Sequence, residues 1–270
     1  MLEKINEIRE AVKREKPLVH CITNPISIQA CANTVLAVGA RPVMAEHPKE
    51  VAEITKTAQA LVLNLGNITD VRMQSMPIAA TAAAEKQIPI VLDAVGVACA
   101  THRRIFANAL LNTTPFAAVK GNYSEIYALY QEEYRACGVD ADKTLEEETV
   151  MHAAMHLARK YHTVFLASGK TDIITDGKQC YYINNGTSQL ARVTGTGDML
   201  GVLCGCYLSA KAEIWAVVTA CTVLGICGEL AKTATGNGSF MVNLMDKLST
   251  LEKGALDKWI RWEEKNIANL

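Results

Sequence analysis

The chain lacks an apolar run long enough to cross a bilayer, a basic stripe, a Cys-x-x-Cys pair, a Pro/Gly/Ser-rich linker and any repeat of short period. Each absence removes a class of function. The longest apolar stretch, Ile214 to Gly228, holds 15 residues between Glu213 and Glu229. That is short of the roughly 20 a membrane-spanning helix needs, so the stretch reads as a buried core helix. Lys and Arg number 27 against 28 Asp and Glu, for a formal net charge of −1. Neither nucleic acid nor a membrane surface is therefore an expected partner, since both call for clustered positive charge. The nine cysteines are odd in number, and Cys204 and Cys206 would point to different sides of a helix. They read as reduced thiols acting as small hydrophobes. No secretory signal is visible: the first sixteen residues set Leu2, Ile5, Ile8 and Val12 among charges, the pattern of an amphipathic helix. A cytoplasmic location is expected.

What is present is a large apolar inventory. Half of the 270 residues are hydrophobic, enough for a sizeable core without metals or disulfides. With no linker in sight, one domain over 1–270 is expected. Short β-branched runs at Leu18–Thr23, Arg41–Ala45, Ala60–Leu65, Pro89–Leu92, Phe116–Lys120 and Thr163–Ala167 alternate with helical patterns at Ser27–Val38, Pro48–Ala58, Thr69–Gln87 and Thr101–Leu111. This alternation predicts an α/β fold with a mainly parallel central sheet flanked by helices on both faces. A β-hairpin follows, Asp172–Thr175 and Gln179–Ile183 joined at Asp176-Gly177. From Gly197 onward the chain reads as almost wholly helical. In such sheets ligands bind beyond the carboxyl ends of the strands. The positions to inspect are therefore Asn24, Glu46, Gly66, Asp93, Gly121 with Asn122, and Ser168.

The strongest constellation is Val193-Thr194-Gly195-Thr196-Gly197-Asp198-Met199-Leu200. Its glycines let backbone approach a ligand, and the helix that follows presents unpaired amides and the positive end of its dipole to an anion. Asp198 sets a carboxylate beside that anion, where an alcohol could lose its proton on attacking a phosphoryl group. A plain glycine-rich helix start, with Asp198 favouring the dipole, is the competing reading. Asp93 and Glu125, after separate strands, could hold magnesium through water beside substrate phosphates. Each could equally cap a following helix, as could Asn122 or Ser124. Ser168-Gly169-Lys170-Thr171 mimics a Walker A terminus but has Val164 where that loop needs glycine. His152 and His156 have metal-ligand spacing without the accompanying Glu; with Met151 and Met155 they read as ordinary helix residues.

Beyond spacing, the residues carry a resemblance that extends over nearly the whole chain. Val19-His20-Cys21-Ile22-Thr23-Asn24, Asn33, Gly39-Ala40, Pro42-Val43-Met44-Ala45, Leu63-Asn64-Leu65-Gly66, Val91-Leu92-Asp93-Ala94-Val95-Gly96, Lys120-Gly121-Asn122-Tyr123-Ser124-Glu125, Thr194–Asp198 and Gly236-Asn237-Gly238-Ser239-Phe240 occur in the order of the hydroxyethylthiazole kinase family. The chain resembles that ribokinase-like family of thiamine synthesis. The resemblance implies a homotrimer that phosphorylates the alcohol of 4-methyl-5-(2-hydroxyethyl)thiazole with ATP and Mg2+. It implies thiazole contacts at Met44 and Gly195, with Asn24 and Gly66 nearby. ATP contacts would fall at Lys120 and Ser168, magnesium near Asp93 and Glu125, and the catalytic base at Asp198. The amides of Gly195, Thr196 and Gly197 would form the anion hole. Departures from the common pattern are Asp198 where some members have Cys, Lys120 for a frequent Arg, Ser168 for Thr, and Ala94 and Asn237 for Pro. Two other activities are compatible with parts of this pattern: an ATP-dependent dehydratase of hydrated NAD(P)H with the same fold, and a non-catalytic thiazole-binding protein.

Overall fold

The computed structural model describes residues 1–136 and 145–265. Among the described residues nine strands form one sheet in the order β2-β1-β3-β4-β5-β6-β7-β8-β9. They are β1 Leu18–Ile22, β2 Arg41–Val43, β3 Ala60–Asn64, β4 Ile90–Asp93, β5 Ala118–Asn122, β6 Val164–Ser168, β7 Asp172–Thr175, β8 Cys180–Ile183 and β9 Trp262–Glu264. Pairing is parallel from β2 to β6 and antiparallel from β6 to β9. The mainly parallel sheet expected from the alternating pattern is present, with the hairpin where Asp176-Gly177 marks it.

The helices are α1 Leu2–Glu15, α2 Ile28–Ala37, α3 Val51–Thr57, α4 Asp70–Glu85, α5 Thr101–Thr113, α6 Tyr123–Tyr130, α7 Glu147–Tyr161, α8 Thr196–Ala210, α9 Ile214–Leu230, α10 Asn237–Thr250 and α11 Lys253–Trp259. Strands buried on both faces need helices on both, and two apolar clusters fill the two spaces. Val62, Val91, Ala118 and Leu166 point to the side of α1, α2, α8, α9 and α10. Leu61, Leu63, Leu92, Val119 and Phe165 point to the side of α4 to α7. The Ile214–Gly228 run lies within α9 and is almost wholly buried. Among the described residues no helix is long and apolar enough to cross a membrane.

Of the described cysteines only Cys99 is exposed, and all are free thiols; Cys137 lies outside the described residues. Met151 and Met155 are buried in α7, whereas His152 and His156 face solvent. The expectation of an almost wholly helical C-terminal part needs one correction: Trp262–Glu264 is a strand, antiparallel to β8. Its three residues are exposed, so no buried apolar alternation announced it.

The sheet register positions the site. Side chains two apart on a strand share a face, so Asn64, Asp93 and Lys120 continue the Val62, Val91 and Ala118 rows toward the carboxyl ends. The register sets Asn64 beside Asp93 and Asp93 beside Lys120. Helix α8 covers this row closely because Gly197, Gly201 and Gly205 recur every fourth residue on one of its faces. A Cβ on Gly205 would come within 2.4 Å of Val62 Cγ2, and one on Gly201 within 3.0 Å of Asp93 Oδ2.

Candidate active site

Helix α8 begins immediately after Gly195, whose backbone is left-handed with φ 94°, a conformation that only glycine adopts without strain. Among the described residues no side chain caps the helix start. The Thr196 hydroxyl turns back to the carbonyls of Leu190 and Val193, which leaves the first-turn amides directed to whatever lies beyond the strand ends. One turn in, Asp198 is 9% exposed. Both of its oxygens accept hydrogen bonds, Oδ1 from Asn64 Nδ2 at 2.8 Å and Oδ2 from the Ser27 hydroxyl in a short contact.

Asn64 donates to Asp93 Oδ2 as well, at 3.0 Å, while its own Oδ1 accepts from the Gly66 amide at 2.7 Å. Asp93 is fully buried and takes both its oxygens to Lys120 Nζ, at 3.0 and 3.1 Å. Burial pushes the Asp93 carboxyl up to about 7, against the pull of Lys120 and with the push of Asp198 and Glu125. Burial also acts against the Lys120 charge, but Asp93, Glu125 and Asp198 outweigh it and hold the ammonium above its ordinary value. Among the described residues three buried carboxylates thus face one buried ammonium.

Glu125 behaves as its capping alternative expected. Its Oε2 accepts from the Asn122 amide and the Asn122 side chain accepts from the Glu125 amide, a reciprocal capping box at the start of α6. Its Oε1 accepts from the Gly96 amide at 2.7 Å. Burial raises its carboxyl, opposed by Lys120 and these two amides. Asp93 caps nothing: a loop separates it from α5.

Several of the expected site residues therefore gather around one point. Gly66 lies against Asn24 and Asn64, since a Cβ there would fall 2.8 Å from polar atoms of both. Gly195 lies against Ser27, and Gly197 approaches Lys120 Nζ, 3.4 Å from a Cβ built on it. Ser168 ends β6 beside Asn122 and donates to the Gly121 carbonyl. Met44 follows β2, half-buried against the apolar cluster on the α8 side of the sheet. Glu46 stands apart, ion-paired to Arg72 at 2.8 Å. Sequence reasoning missed Asn64 and Ser27 as site residues. Asn64 had a signal, a polar side chain ending an otherwise apolar buried strand. Ser27 had a misleading one: it stands at the N-cap of α2, where Ser commonly caps, yet it caps nothing there and gives its hydroxyl to Asp198.

A family model described as the hydroxyethylthiazole kinase family matches residues 9–254. The chain is 41% identical over 262 residues to "Hydroxyethylthiazole kinase 1" of Clostridium botulinum, covering 94% of this chain and 98% of that relative. It is 37% identical to the hydroxyethylthiazole kinase of Finegoldia magna, covering 98% and 94%. The solved hydroxyethylthiazole kinase structure from Pyrococcus horikoshii superposes with a TM-score of 0.90 at 32% identity, over 98% of this chain and all of that one. An ADP/ATP-dependent NAD(P)H-hydrate dehydratase from Bacillus subtilis superposes with a TM-score of 0.61 at 15% identity over 90% and 95%, a likeness of fold alone.

Proposed function

The chain belongs to the hydroxyethylthiazole kinase family, and on that premise we propose how its residues move the γ-phosphoryl group of ATP to the primary alcohol of 4-methyl-5-(2-hydroxyethyl)thiazole, a step of thiamine biosynthesis. The observation that carries the reading is the pairing of Asp198 with the uncapped start of α8, one turn from Gly195 and directly over the strand ends.

Asp198 accepts the alcohol proton as its oxygen attacks in line. The amides of Gly195, Thr196 and Gly197 donate to the phosphoryl oxygens, where charge builds as the bond to ADP breaks. Asn24, Gly66 and Met44 border the thiazole side; Lys120 and Ser168 border the nucleotide side. The buried carboxylates, in excess over the one ammonium, suit a divalent cation. Both oxygens of Asp93 and of Glu125 already accept protein hydrogen bonds, so the residues fit Mg2+ held through its own water rather than in a protein cage. When bound there, Mg2+ would neutralise the nucleotide phosphates. The cytoplasm, where ATP is abundant, is the expected location. A test is ADP release measured over a panel of vitamin-precursor alcohols and hydrated NADH. Turnover with the thiazole alcohol supports the reading; turnover with hydrated NADH alone supports the dehydratase.

Met44→Asp is expected to raise the thiazole KM sharply, because an unpaired carboxylate against an apolar ring is costly. ATP affinity measured alone should stay near the parent value. An equal loss of both would make Met44 a folding residue.

The family resemblance also supports a homotrimer of about 88 kDa, three chains of 29.3 kDa, with all nine strands in one sheet consistent with a single domain per chain. Light scattering should give that mass, and a stable, active monomer would refute it.

A further inference from the structure

Asn64 is the only side chain among the described residues that hydrogen-bonds to both Asp198 and Asp93. Its orientation is not free. The Gly66 amide can only donate, so the Asn64 carbonyl oxygen must face Gly66, and the amide nitrogen must face the two acids. Each of its two N–H bonds is then committed, one to Asp198 Oδ1 at 2.8 Å and one to Asp93 Oδ2 at 3.0 Å. The residue is 1% exposed, and both of its N–H donors are used. A neutral side chain that donates to two carboxylates at once separates two like charges without adding a third.

We propose that Asn64 is a positioning residue for phosphoryl transfer. It fixes Asp198 Oδ1 so that the carboxylate presents its remaining lone pairs to the substrate alcohol, and it ties that base to Asp93 and, through Asp93, to the Lys120 ammonium. Gly66 shares in this, since its amide sets the Asn64 rotamer while its missing Cβ leaves room for Asn24 Nδ2 and Asn64 Oδ1, each 2.8 Å from where that atom would sit. The thiazole side and the nucleotide side are thereby held in one frame by a single amide. The inference rests on Asp198 being the base, as proposed above.

The test is a double-mutant cycle on kcat with Asn64→Ser and Asn64→Leu, each made in the parent and in Asp198→Asn. In the parent background either change should lower kcat by roughly 10–100-fold, the loss of a hydrogen bond to a charged group. KM for thiazole and for ATP should stay within about threefold, because the lost interaction serves the transition state. In the Asp198→Asn background the same changes should move kcat by less than about threefold, since the base they position is gone. Equal drops in both backgrounds would assign Asn64 to packing and overturn the inference. So would a raised KM at unchanged kcat, or failure of both variants to fold. An Asp198→Asn enzyme with the parent's kcat would instead remove the base itself, a different signature that takes this inference with it.

Discussion

Asp198→Asn is expected to lower kcat by ~10²–10⁴-fold, the usual range for general-base catalysis, and to leave thiazole binding near the parent's. The substitution should fold. Asn64 can only donate toward position 198, so the new amide must turn its oxygen to Asn64 and its nitrogen to Ser27. The Ser27 hydroxyl can rotate to accept. What disappears is the capacity to take a proton. Asp198→Cys should recover part of the rate. A free thiol ionises near ~8.5, so the activity of this variant should climb as pH rises toward that value. An Asn variant as active as the parent would mean that the alcohol needs no base.

Lys120→Met should cost the fold about 1–2 kcal/mol at pH 8, because a carboxyl that titrates at about 7 takes up a proton rather than stand as an unpaired buried charge. Asp93 is fully buried, and among the described residues Lys120 is the one ammonium paired with it. At 270 residues this is a fall in Tm of roughly 2–8 °C. The pH dependence has a definite sign. The Asp93 carboxyl sits at about 7 in the fold against an ordinary 3.8, so the folded state binds the extra proton and stability falls as pH rises through that window. Removing Lys120 raises the carboxyl further, because its main attraction is gone. The deficit relative to the parent should therefore be smaller at pH 5 than at pH 8, by calorimetry or denaturant titration. Equal deficits at the two values would show that Asp93 is not the group stranded.

Much of the frame was legible because it is written locally. Ala60–Asn64 and Ile90–Asp93 are continuous apolar runs that end in polar residues, as strands buried on both faces must be. Asp176-Gly177 fixes its hairpin by turn chemistry. The rule that ligands gather at carboxyl strand ends points to Asp93, Gly66 and Ser168 from the sequence alone. What stayed hidden depends on partners far along the chain. Asn64 meets Asp198 across 134 residues and Ser27 meets it across 171, and nothing near either residue encodes that meeting. Glu125 had two readings in the sequence, cap or metal neighbour. Its capping box with Asn122 is a local pattern, whereas its second bond, to the Gly96 amide, needs β4 and β5 side by side. The exposed edge strand Trp262–Glu264 had no apolar period to betray it.

The proposed reaction moves the γ-phosphoryl group of ATP to the thiazole alcohol with Asp198 as the base. The most direct measurement is phosphorus NMR of the products formed from ATP and hydroxyethylthiazole by the parent and by Asp198→Asn, with the ring lacking its hydroxyl as control. The account predicts equimolar ADP and a thiazole phosphate monoester with the parent, formation slowed by at least about a hundredfold in the variant, and no ester from the control. ADP and inorganic phosphate without any ester, or an ester formed equally fast by both proteins, would contradict it.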